Sequence, residues 1–269
     1  MSGKPHSTPI QHTIYKVNQH YKELRENIHL PQSSLSFHHK WLSQAHTFQQ
    51  ISYHNSLCIL LWDVTINRFI LFFDERNITG YDTTSYTGEN GVDFSLYNFH
   101  PEHMQAVQHI NASIHNLYMA NSHISPDKIV ANVDALYRIK NGSYIHILQQ
   151  IVPVETDSSG RPFLFLSYGH NITHLKKFHS SSLIFTTPEK AIILKYCFAE
   201  KKLEKAIFFT EKEQQILQWL CKGKQTKEIA AELAVSPHTI DTHRRNLLAK
   251  TSCLDTTALV AYCKMVGLL

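Results

Sequence analysis

The sequence contains few of the residue patterns that metal centres, disulfide frameworks and membrane spans require. Its five cysteines are scattered over 269 residues and none stands in a Cys-x-x-Cys pair, so neither a zinc site nor a disulfide framework is expected. The longest apolar stretch, Leu57 to Trp62, has the length of a strand, and the amino terminus lacks the apolar core of a signal peptide. We therefore expect a cytoplasmic protein with reduced thiols and no membrane partner.

Motifs of enzymes are missing as well. The chain has no phosphate-binding glycine loop, no nucleophile motif and no spaced set of metal ligands, so we expect neither catalysis nor a metal site nor a cofactor. The formal net charge of +4 is modest and does not by itself indicate a nucleic-acid partner. With 43% hydrophobic and 18% charged residues, the chain has the composition and length of two soluble globular domains.

The last sixty residues contain the clearest local pattern in the chain. Thr210 and Glu213 have the spacing of a capping box, which predicts that a helix begins there. Gly223 can end this helix in a left-handed conformation, and a second short helix is expected from Thr226. Ser236 then caps a third helix, in which a proline occupies the first position.

The third helix is predicted to bury one face and expose the other. Ile240, Leu247 and Leu248 have the spacing of an inner face. The outward residues are Asp241, Thr242, Arg244 and Arg245. Two short helices, a tight turn and an outward basic helix are the anatomy of a helix-turn-helix motif that binds DNA.

Eleven residues of the C-terminal segment 209–269 have the identity and spacing of a known motif. They are Thr210, Glu213, Lys227, Glu228, Ile229, Ala230, Ser236, Thr239, Ile240, His243 and Lys250. With them, the segment resembles the LuxR/FixJ-type helix-turn-helix module over its whole length, which implies an all-α four-helix domain that binds double-stranded DNA. Thr251-Ser252-Cys253 departs from the family, which usually has Leu-Gly and a small apolar residue there. That departure bears on the packing of the last turn and not on the function.

The outward face of the third helix is expected to contact bases. Arg245 can pair bidentately with guanine, and Thr242 can place its methyl against thymine or its hydroxyl against a neighbouring base. The resemblance places both where LuxR-type modules commonly touch DNA bases. Asp241 occupies a third such position, where a cation is frequent, and it either accepts from a cytosine amine or faces water. Phosphate contacts, which supply most of the affinity, are expected from Lys227, Ser236, Thr239, Arg244 and Lys250.

A fourth helix is predicted at about 255–265. Its own core would contain Leu259, Tyr262, Cys263 and Val266. Three small residues, Thr257, Ala258 and Ala261, would let the same helix of a second copy approach. The resemblance implies that a homodimer forms there and matches two half-sites on the DNA.

The first two hundred residues mix helical and strand-like patterns. Residues 1–50 are predicted to form a helical extension, with helices from about residue 13 and over 36–50. Asn141-Gly142 predicts a type I′ hairpin turn between two strands. Further elements are expected as strands at 57–63, 68–73, 130–140, 143–155 and 162–171 and as a helix at about 100–121. These elements predict an α+β domain in which one antiparallel sheet carries flanking helices across one face.

Five short motifs in this part of the chain belong together. They are Thr79-Gly80-Tyr81, His100-Pro101-Glu102, residues 137–144, Gly160-Arg161-Pro162 and residues 169–173. With them, the chain from about residue 57 to 177 resembles a PAS domain with a C-terminal Asp-Ile-Thr signature, and we assign residues 51–177 to a PAS-like sensor domain. Asn171 stands where the family has the Asp of that signature, so a neutral hydrogen bond would replace any salt bridge there.

The resemblance implies a pocket between the inner face of the sheet and its helices. Candidate lining residues are Leu60, Trp62, Phe69, Leu71, Ile145, Ile147, Phe165 and Leu166. Haem in such a pocket would need an axial ligand, for which His103, His109 and His115 are the candidates. Because histidines on helices are more often exposed, no cofactor is expected.

Residues 178–208 permit two interpretations. Strand-like runs at 181–186 and 191–198 flank Thr187-Pro188-Glu189-Lys190, which favours a β-hairpin that extends the sheet. The Lys and Glu content of residues 189–206 would also suit a helix. A helix could transmit rotation between domains, whereas a hairpin would dock the C-terminal domain on the sensor.

The sequence therefore predicts a bacterial transcription regulator with a PAS-like sensor in front and a LuxR-type DNA-binding domain behind it. A small-molecule or protein cue would bias the geometry of the dimer and hence DNA binding. A second hypothesis keeps the DNA-binding domain but makes the front part a dimerisation or protein-docking platform without a ligand.

Overall fold

The structure, a computed structural model, describes residues 9–30, 35–177, 181–205 and 209–269. Its helices are α1 (Pro9–Glu26), α2 (Leu35–Leu42), α3 (Ala45–Asn55), α4 (Thr83–Thr87), α5 (Gly91–Tyr97), α6 (Met104–Ala120), α7 (Glu211–Cys221), α8 (Thr226–Glu232), α9 (Pro237–Thr251) and α10 (Thr256–Met265). Its strands are β1 (Cys58–Asp63), β2 (Arg68–Phe73), β3 (Val130–Arg138), β4 (Tyr144–Thr156), β5 (Pro162–Asn171), β6 (Ser182–Thr186), β7 (Ala191–Cys197) and β8 (Lys202–Lys205). Single turns of 3-10 helix lie at Pro101–His103 and Pro126–Lys128.

The described strands form one antiparallel sheet in the order β2-β1-β5-β4-β3-β6-β7-β8. The five strands predicted before residue 178 are all present, and α6 lies between β2 and β3 where the periodicity placed a helix. The prediction of a mixed helix and antiparallel-sheet region followed by four helices is therefore confirmed.

The segment after residue 180 forms a hairpin. β6 pairs with β7, from Ser182 opposite Lys195 to Thr186 opposite Ala191, and Thr187 N donates to Lys190 O at 2.9 Å to close the turn. The helical alternative is wrong for the described residues of this segment, whereas 178–180 and 206–208 lie outside them. β8 adds a strand that the sequence pattern did not indicate.

The turn between β3 and β4 is not of type I′. That type needs a positive φ at both central residues, but only Gly142 has one, at 89°. Gly142 N donates to Ile139 O at 2.8 Å and Ile139 N donates to Ser143 O at 2.9 Å. This is a type I turn followed by a left-handed glycine, which widens the hairpin by one residue.

The N-terminal helices fall partly where the sequence placed them. α1, which was predicted from about residue 13, buries Ile14, Val17 and Tyr21 in a cluster with residues of α5 and α6. The second predicted helix is two helices, α2 and α3, because the chain turns at residues 43–44. Residues 1–8 of the predicted extension lie outside the described residues.

The two faces of the sheet are covered differently. The inner face, which carries Phe165, packs against α6. On the outer face, Leu61 of β1 and Leu166 of β5 pack with α2 and α3. Leu148 of β4 and Ile184 of β6 instead share a cluster with the C-terminal helices. The C-terminal domain is thus seated on one half of the outer face.

Candidate DNA-binding surface and inner cavities

The Glu213 carboxylate accepts hydrogen bonds from two parts of the C-terminal domain. Thr210 N donates to Glu213 Oε2 at 2.8 Å and Glu213 N donates to Thr210 Oγ1 at 3.3 Å, so the predicted capping box of α7 is present. Lys250 Nζ of α9 donates to the same carboxylate oxygen at 2.6 Å. Burial by itself raises the pKa of Glu213, but the hydrogen bonds from Lys250 and Thr210 outweigh burial and hold that pKa below its ordinary value.

A short turn joins α8 to α9 and sets the direction of α9. Ala234 in this turn has a left-handed backbone with φ of 51°. Ser236 caps α9 by accepting a hydrogen bond from Thr239 N at 3.1 Å, as its position predicted. Ile240 and Leu247 are fully buried, so the opposite side of α9 is directed outward.

The three residues predicted to contact bases stand together on that outward side. Asp241 and Arg245 are exposed and Thr242 is half-buried. Arg245 Nη2 donates to Thr242 Oγ1 at 3.2 Å, and the Asp241 carboxylate accepts a hydrogen bond from the Thr226 hydroxyl at 3.1 Å. The structure therefore brings the three side chains onto one accessible face of α9.

Two of the residues predicted to hold phosphates border one open groove. Lys227, in the first turn of α8, is exposed and lines this groove with Arg244. Arg244 donates to the hydroxyls of Thr226 and Thr256 at 2.6 and 2.7 Å. Its guanidinium thereby joins α8, α9 and the start of α10 while it borders the groove.

The other three predicted phosphate ligands are engaged within the domain. The hydroxyls of Ser236 and Thr239 share a hydrogen bond of 2.9 Å at the start of α9. Lys250 is paired with Glu213, and only 34% of its side chain is exposed. A phosphate would have to compete with this carboxylate, so Lys250 is the predicted contact with the least support from the geometry.

The last turn of α9 keeps its packing despite the departure from the family. Ser252 has a left-handed backbone with φ of 56°, a conformation that costs least for the glycine usual at this position. Thr251 is buried and its hydroxyl donates to Leu247 O at 2.9 Å. Cys253 is fully buried.

α10 buries the residues predicted for its core. They are Leu259, Tyr262, Cys263 and the following Val266. Of the residues predicted to form a dimer contact, Thr257 is exposed, Ala261 is half-buried and Ala258 is buried. Ala258 belongs to the apolar cluster that includes Leu148 of the sheet, and Ala261 packs against that cluster.

A buried charged cluster joins α10 to the sheet, and no sequence pattern revealed it. Lys176 Nζ donates to Asp134 Oδ2 at 2.9 Å and to Thr251 O at 2.8 Å. Tyr262 Oη donates to the same Asp134 oxygen at 2.9 Å, and Lys176 Nζ lies 3.5 Å from the centre of the Tyr262 ring. The Asp134 and Lys176 side chains are 0% and 2% exposed. Asp134, Lys176 and Tyr262 are called the Asp134 cluster below.

The Asp134 cluster keeps its carboxylate ionised. Burial by itself raises the pKa of Asp134, but the charges of Lys176 and His146 and the hydrogen bonds from Lys176 and Tyr262 together outweigh burial and hold this pKa below its ordinary value. Burial and the neighbouring carboxylate raise the pKa of Tyr262 well above its ordinary value, so its hydroxyl stays a donor.

Backbone hydrogen bonds flank the cluster. Lys177 N donates to Ser252 O at 2.7 Å, and Leu254 N donates to Leu175 O at 3.0 Å. The segment after β5 therefore pairs, as a short antiparallel bridge, with the loop between α9 and α10.

Side chains of the sheet also satisfy the end of α10. The last carbonyls of a helix have no partner within the helix. Gln150 Nε2 donates to Met265 O at 2.8 Å, and Asn132 Nδ2 approaches Val266 O at 3.5 Å. The C-terminal end of α10 is thus capped by residues of β4 and β3.

Two small cavities lie between the inner face of the sheet and its helices. Their volumes are about 20 Å³ and about 70 Å³, and Phe99 and Gln149 line both. Trp62 lines the larger one, and its buried Nε1 has no hydrogen-bond partner in the described part of the chain. One water takes about 30 Å³, so the larger cavity has room for about two.

Four of the eight predicted pocket residues line these cavities. Leu60 and Ile147 line the smaller cavity, and Trp62 and Phe69 line the larger one. Phe165 lies on the same face of the sheet, with its ring centre 5.7 Å from that of Trp62.

The other three pocket residues lie elsewhere. Ile145 is buried on the inner face, outside the lining of both cavities. The prediction for Leu71 and Leu166 is wrong, because both pack with α2 and α3 on the outer face. Leu166 directly follows Phe165, which faces inward, so Leu166 faces outward. In β2, a bulge opposite Leu61 and Trp62 shifts the alternation of side chains, and Leu71 faces outward for that reason.

β3 and β4 contribute alternate residues to the cavities and to the C-terminal domain. Val133 and Gln149 line the larger cavity. Their neighbours Asp134 and Gln150 contact α10. Because successive side chains of a strand point to opposite faces, any displacement of these strands acts on both sites.

The histidines considered as haem ligands stand apart from these cavities. His103 is buried, and its Nδ1 accepts a hydrogen bond from Leu136 N at 3.3 Å. The His109 ring stacks on Tyr196, and His115 is half-buried on α6. None of the three lines either cavity, so the geometry gives no support for haem.

The described ranges contain neither a metal-binding cluster nor a membrane-spanning helix. Among these residues, no group of three or more His, Cys, Asp or Glu side chains could hold a metal ion. No described helix combines the length and the apolar character that crossing a membrane requires.

Comparison with known proteins identifies the C-terminal helices. Residues 208–263 match the family model of bacterial regulatory proteins, luxR family. YhcZ of Bacillus subtilis, an uncharacterized transcriptional regulatory protein, is 26% identical over 188 residues, which are 66% of this chain and 77% of YhcZ. The regulatory protein SdiA of Escherichia coli is 33% identical over 61 residues, and this match spans only 25% of SdiA and 23% of this chain.

A solved structure of the Vibrio cholerae VqmA dimer, a LuxR-type receptor, aligns with 84% of this chain and 88% of the VqmA chain, at 16% identity and a TM-score of 0.33. The two sequence relatives named above are regulatory proteins. The matched residues 208–263 contain α7, α8, α9 and most of α10. The C-terminal part of this chain is a LuxR-family helix-turn-helix domain.

Proposed function

We propose that this protein is a sequence-specific transcription regulator that binds double-stranded DNA as a homodimer. The observation that carries the proposal is the accessible face of α9, where Arg245, Thr242 and Asp241 stand together opposite a fully buried inner face. A helix held in this way can enter the major groove, where the edges of all four base pairs differ.

Within this proposal the residues divide by role. Arg245 contacts guanine and Thr242 an adjacent base, whereas Asp241 faces water beside them. Lys227 and Arg244 hold phosphates along the groove at the start of α8, and the hydroxyls of Ser236 and Thr239 contribute at the start of α9. Lys250 contributes least, since Glu213 already holds its ammonium group.

The test uses DNA that the protein itself selects from fragmented genomic DNA. We expect Arg245→Ala to lose its preference for the selected sequence over unrelated DNA, with a loss of about 1–3 kcal/mol of discrimination at one base pair. Arg245→Lys keeps the charge but not the bidentate geometry, and should keep general affinity while it loses preference. Unchanged discrimination in Arg245→Ala would remove this residue from its role.

Dimerisation through α10 would place two copies of α9 on successive major grooves. Thr257, Ala258 and Ala261 are the small residues at which the two helices would meet. We expect the selected DNA to contain two inverted half-sites about one helical turn apart, roughly 34 Å. Randomly oriented single half-sites in the selected pool would contradict this arrangement.

We further propose that the N-terminal α+β domain is a PAS-like sensor. The antiparallel sheet with helices across its inner face supports this, as do the cavities between them. The buried Trp62 Nε1 would donate to a ligand that carries an acceptor. Alternate side chains of β3 and β4 would transmit a change in the cavities to the C-terminal domain, because these strands face the cavities on one side and α10 on the other.

A second candidate is that this domain is a dimerisation or docking platform without a ligand. The cavity volumes favour it, since about 70 Å³ is well below the several hundred Å³ of an ordinary ligand site. Native mass spectrometry of freshly purified protein separates the two candidates. A retained small molecule that is lost in Val107→Phe, which fills much of the larger cavity beside Trp62, favours sensing. Bare protein under every growth condition favours the platform.

A further inference from the structure

A groove on the surface of the N-terminal domain is larger than either inner cavity. It has a volume of about 920 Å³ and is bordered by the first half of α1, the start of α6 and the β7–β8 hairpin. None of its lining residues also lines an inner cavity or the groove beside α8. Its volume lies within the range of small-molecule sites, roughly 300–1,000 Å³. It is called the α1–hairpin groove below.

The buried part of the α1–hairpin groove is apolar. Met104 and Tyr196 are 2% and 3% exposed, and Ile10 and Phe198 are half-buried. The rings of Tyr196 and Phe198 stand edge to face, with their centres 5.2 Å apart. The Tyr196 hydroxyl already donates to Gln105 Oε1 at 3.3 Å, so it needs no partner from a ligand. An apolar group on this floor would therefore be buried without leaving that hydroxyl unsatisfied.

Two lysines in the lining of the groove have no acidic partner. Lys16 of α1 and Lys201 of the β7–β8 turn are exposed, and neither forms an ion pair with a residue that the structure describes. Within the described lining, Glu102 contributes the single carboxylate. The two ammonium groups therefore outnumber the carboxylate, and the groove carries a net positive charge.

The local sequence explains why these two lysines stay unpaired. Residues three or four positions apart are neighbours on a helix, and residues 12–20 around Lys16 include no acid. Lys201 does stand close to two acids in the sequence, but Lys202 Nζ binds both of them, Glu200 at 2.5 Å and Glu204 at 3.1 Å. The ammonium group of Lys201 is thus left available to an anion in the groove.

We propose that the α1–hairpin groove binds a small amphipathic anion, a molecule with an apolar or aromatic body and one acidic group. The body lies on Met104, Tyr196 and Phe198, and the acidic group pairs with the ammonium groups of Lys16 and Lys201. A molecule bound in this way links α1 to the β7–β8 hairpin. This site is separate from the inner cavities, and it does not depend on the proposed DNA binding.

The probes for the test are 2-naphthoate and two analogues with the same rings, the neutral 2-naphthalenemethanol and the cationic 2-naphthylmethylammonium. Titration calorimetry with the full chain should show that one naphthoate binds per chain. We expect naphthoate to bind at least about tenfold more tightly than the alcohol, since each lysine near the carboxylate adds roughly a factor of five in water. The ammonium probe should bind most weakly. Equal affinity for the three probes would overturn the proposal.

Variants separate the charged contacts from the apolar ones. Lys16→Ala and Lys201→Ala should each weaken naphthoate binding about fivefold and leave the alcohol unaffected, whereas Lys190→Ala, the same change at an exposed residue of the β6–β7 turn, should alter neither. Phe198→Ala removes apolar contact and should weaken all three probes alike, by about fivefold. Phe198→Leu replaces it if that variant does not fold, with a smaller effect in the same direction. Naphthoate binding that none of these variants changes would contradict the proposed site.

Hydrogen exchange tests whether the bound molecule links α1 to the hairpin. A ligand that binds only the closed arrangement opposes local opening of α1. At a naphthoate concentration ten times its dissociation constant, we expect about tenfold slower exchange in α1 and no change in α7. Binding without any protection of α1 would place the probe outside the groove and overturn the proposal.

Two other occupants of the groove predict different results. Protein that sediments with phosphatidylglycerol vesicles but does not bind naphthoate would assign the groove to a membrane surface. Naphthoate binding that is lost as the protein concentration and the dimer fraction rise would assign it to a second copy of the chain. Either result overturns the proposal of a small ligand.

Discussion

Lys250 Nζ lies 2.6 Å from Glu213 Oε2, and this contact ties the end of α9 to the start of α7. The same oxygen accepts a hydrogen bond from Thr210 N in the capping box. One carboxylate thus caps a helix and anchors the helix that is proposed to enter the DNA groove. The stability of the C-terminal domain should therefore depend on the ionisation of Glu213.

The first prediction concerns the acid sensitivity of this contact. The pKa of Glu213 is lowered in the folded protein, so its stabilisation is present above the ordinary glutamate pKa of about 4.3 and is lost as the pH falls through the folded-state pKa. We expect Lys250→Met to cost about 1 kcal/mol at pH 7 and to reduce this pH dependence, since part of Lys250 is exposed to solvent screening. Urea unfolding at pH 7 and at about pH 3, below the ordinary glutamate pKa, measures both effects. Equal pH dependence in the two proteins would contradict the role of the pair.

The second prediction concerns Lys227 at the start of α8. If it contacts a phosphate, Lys227→Ala should weaken binding to all DNA sequences alike and lower the slope of log affinity against log salt by about 1. Anisotropy titrations at several salt concentrations give the slope. Lys128→Ala makes the same charge change at an exposed position of the N-terminal region and should leave the slope unaltered. Equal slopes for all three proteins would exclude a phosphate contact at Lys227.

The third prediction concerns Asp241, whose charge opposes the phosphates. Its carboxylate accepts a hydrogen bond from the Thr226 hydroxyl, and the Oδ1 of an asparagine can accept the same bond. We expect Asp241→Asn to tighten binding to every sequence by about fivefold, which corresponds to ~1 kcal/mol for one charge near a phosphate in water. Glu211→Gln, an equal change at an exposed residue of α7, is the control. A changed preference at one base pair would instead assign Asp241 to a cytosine.

The features that were predicted correctly depend on residues that are close to one another in the sequence. The capping box of Thr210 and Glu213, the cap at Ser236 and the stop at Gly223 each depend on residues within four positions of one another. Such local signals fix where helices begin and end before any tertiary contact forms. The order of helices in the C-terminal domain followed from them.

The features that were missed depend on contacts between distant residues. Asp134 is hydrogen-bonded to Lys176, 42 positions away in the sequence, and to Tyr262, 128 positions away. No periodicity in the sequence predicts such contacts. An acidic residue in the middle of a mostly apolar strand was the one available signal at Asp134. The error at Leu71 has a similar origin, since a bulge depends on how β2 pairs with β1 and not on the composition of β2.

The last prediction concerns Ser252, which has a left-handed backbone where the family has glycine. A side chain in this conformation costs about 1 kcal/mol, and glycine removes that cost while it adds some freedom to the unfolded chain. We expect Ser252→Gly to raise the free energy of unfolding by about 0.5–1 kcal/mol, because the Ser252 carbonyl that accepts from Lys177 N is retained. Ala249→Gly, at an exposed position inside α9, should lower it by about 1 kcal/mol. Urea unfolding of the two variants should therefore shift in opposite directions, and a shift of both toward lower stability would mean that the backbone at Ser252 carries no such strain.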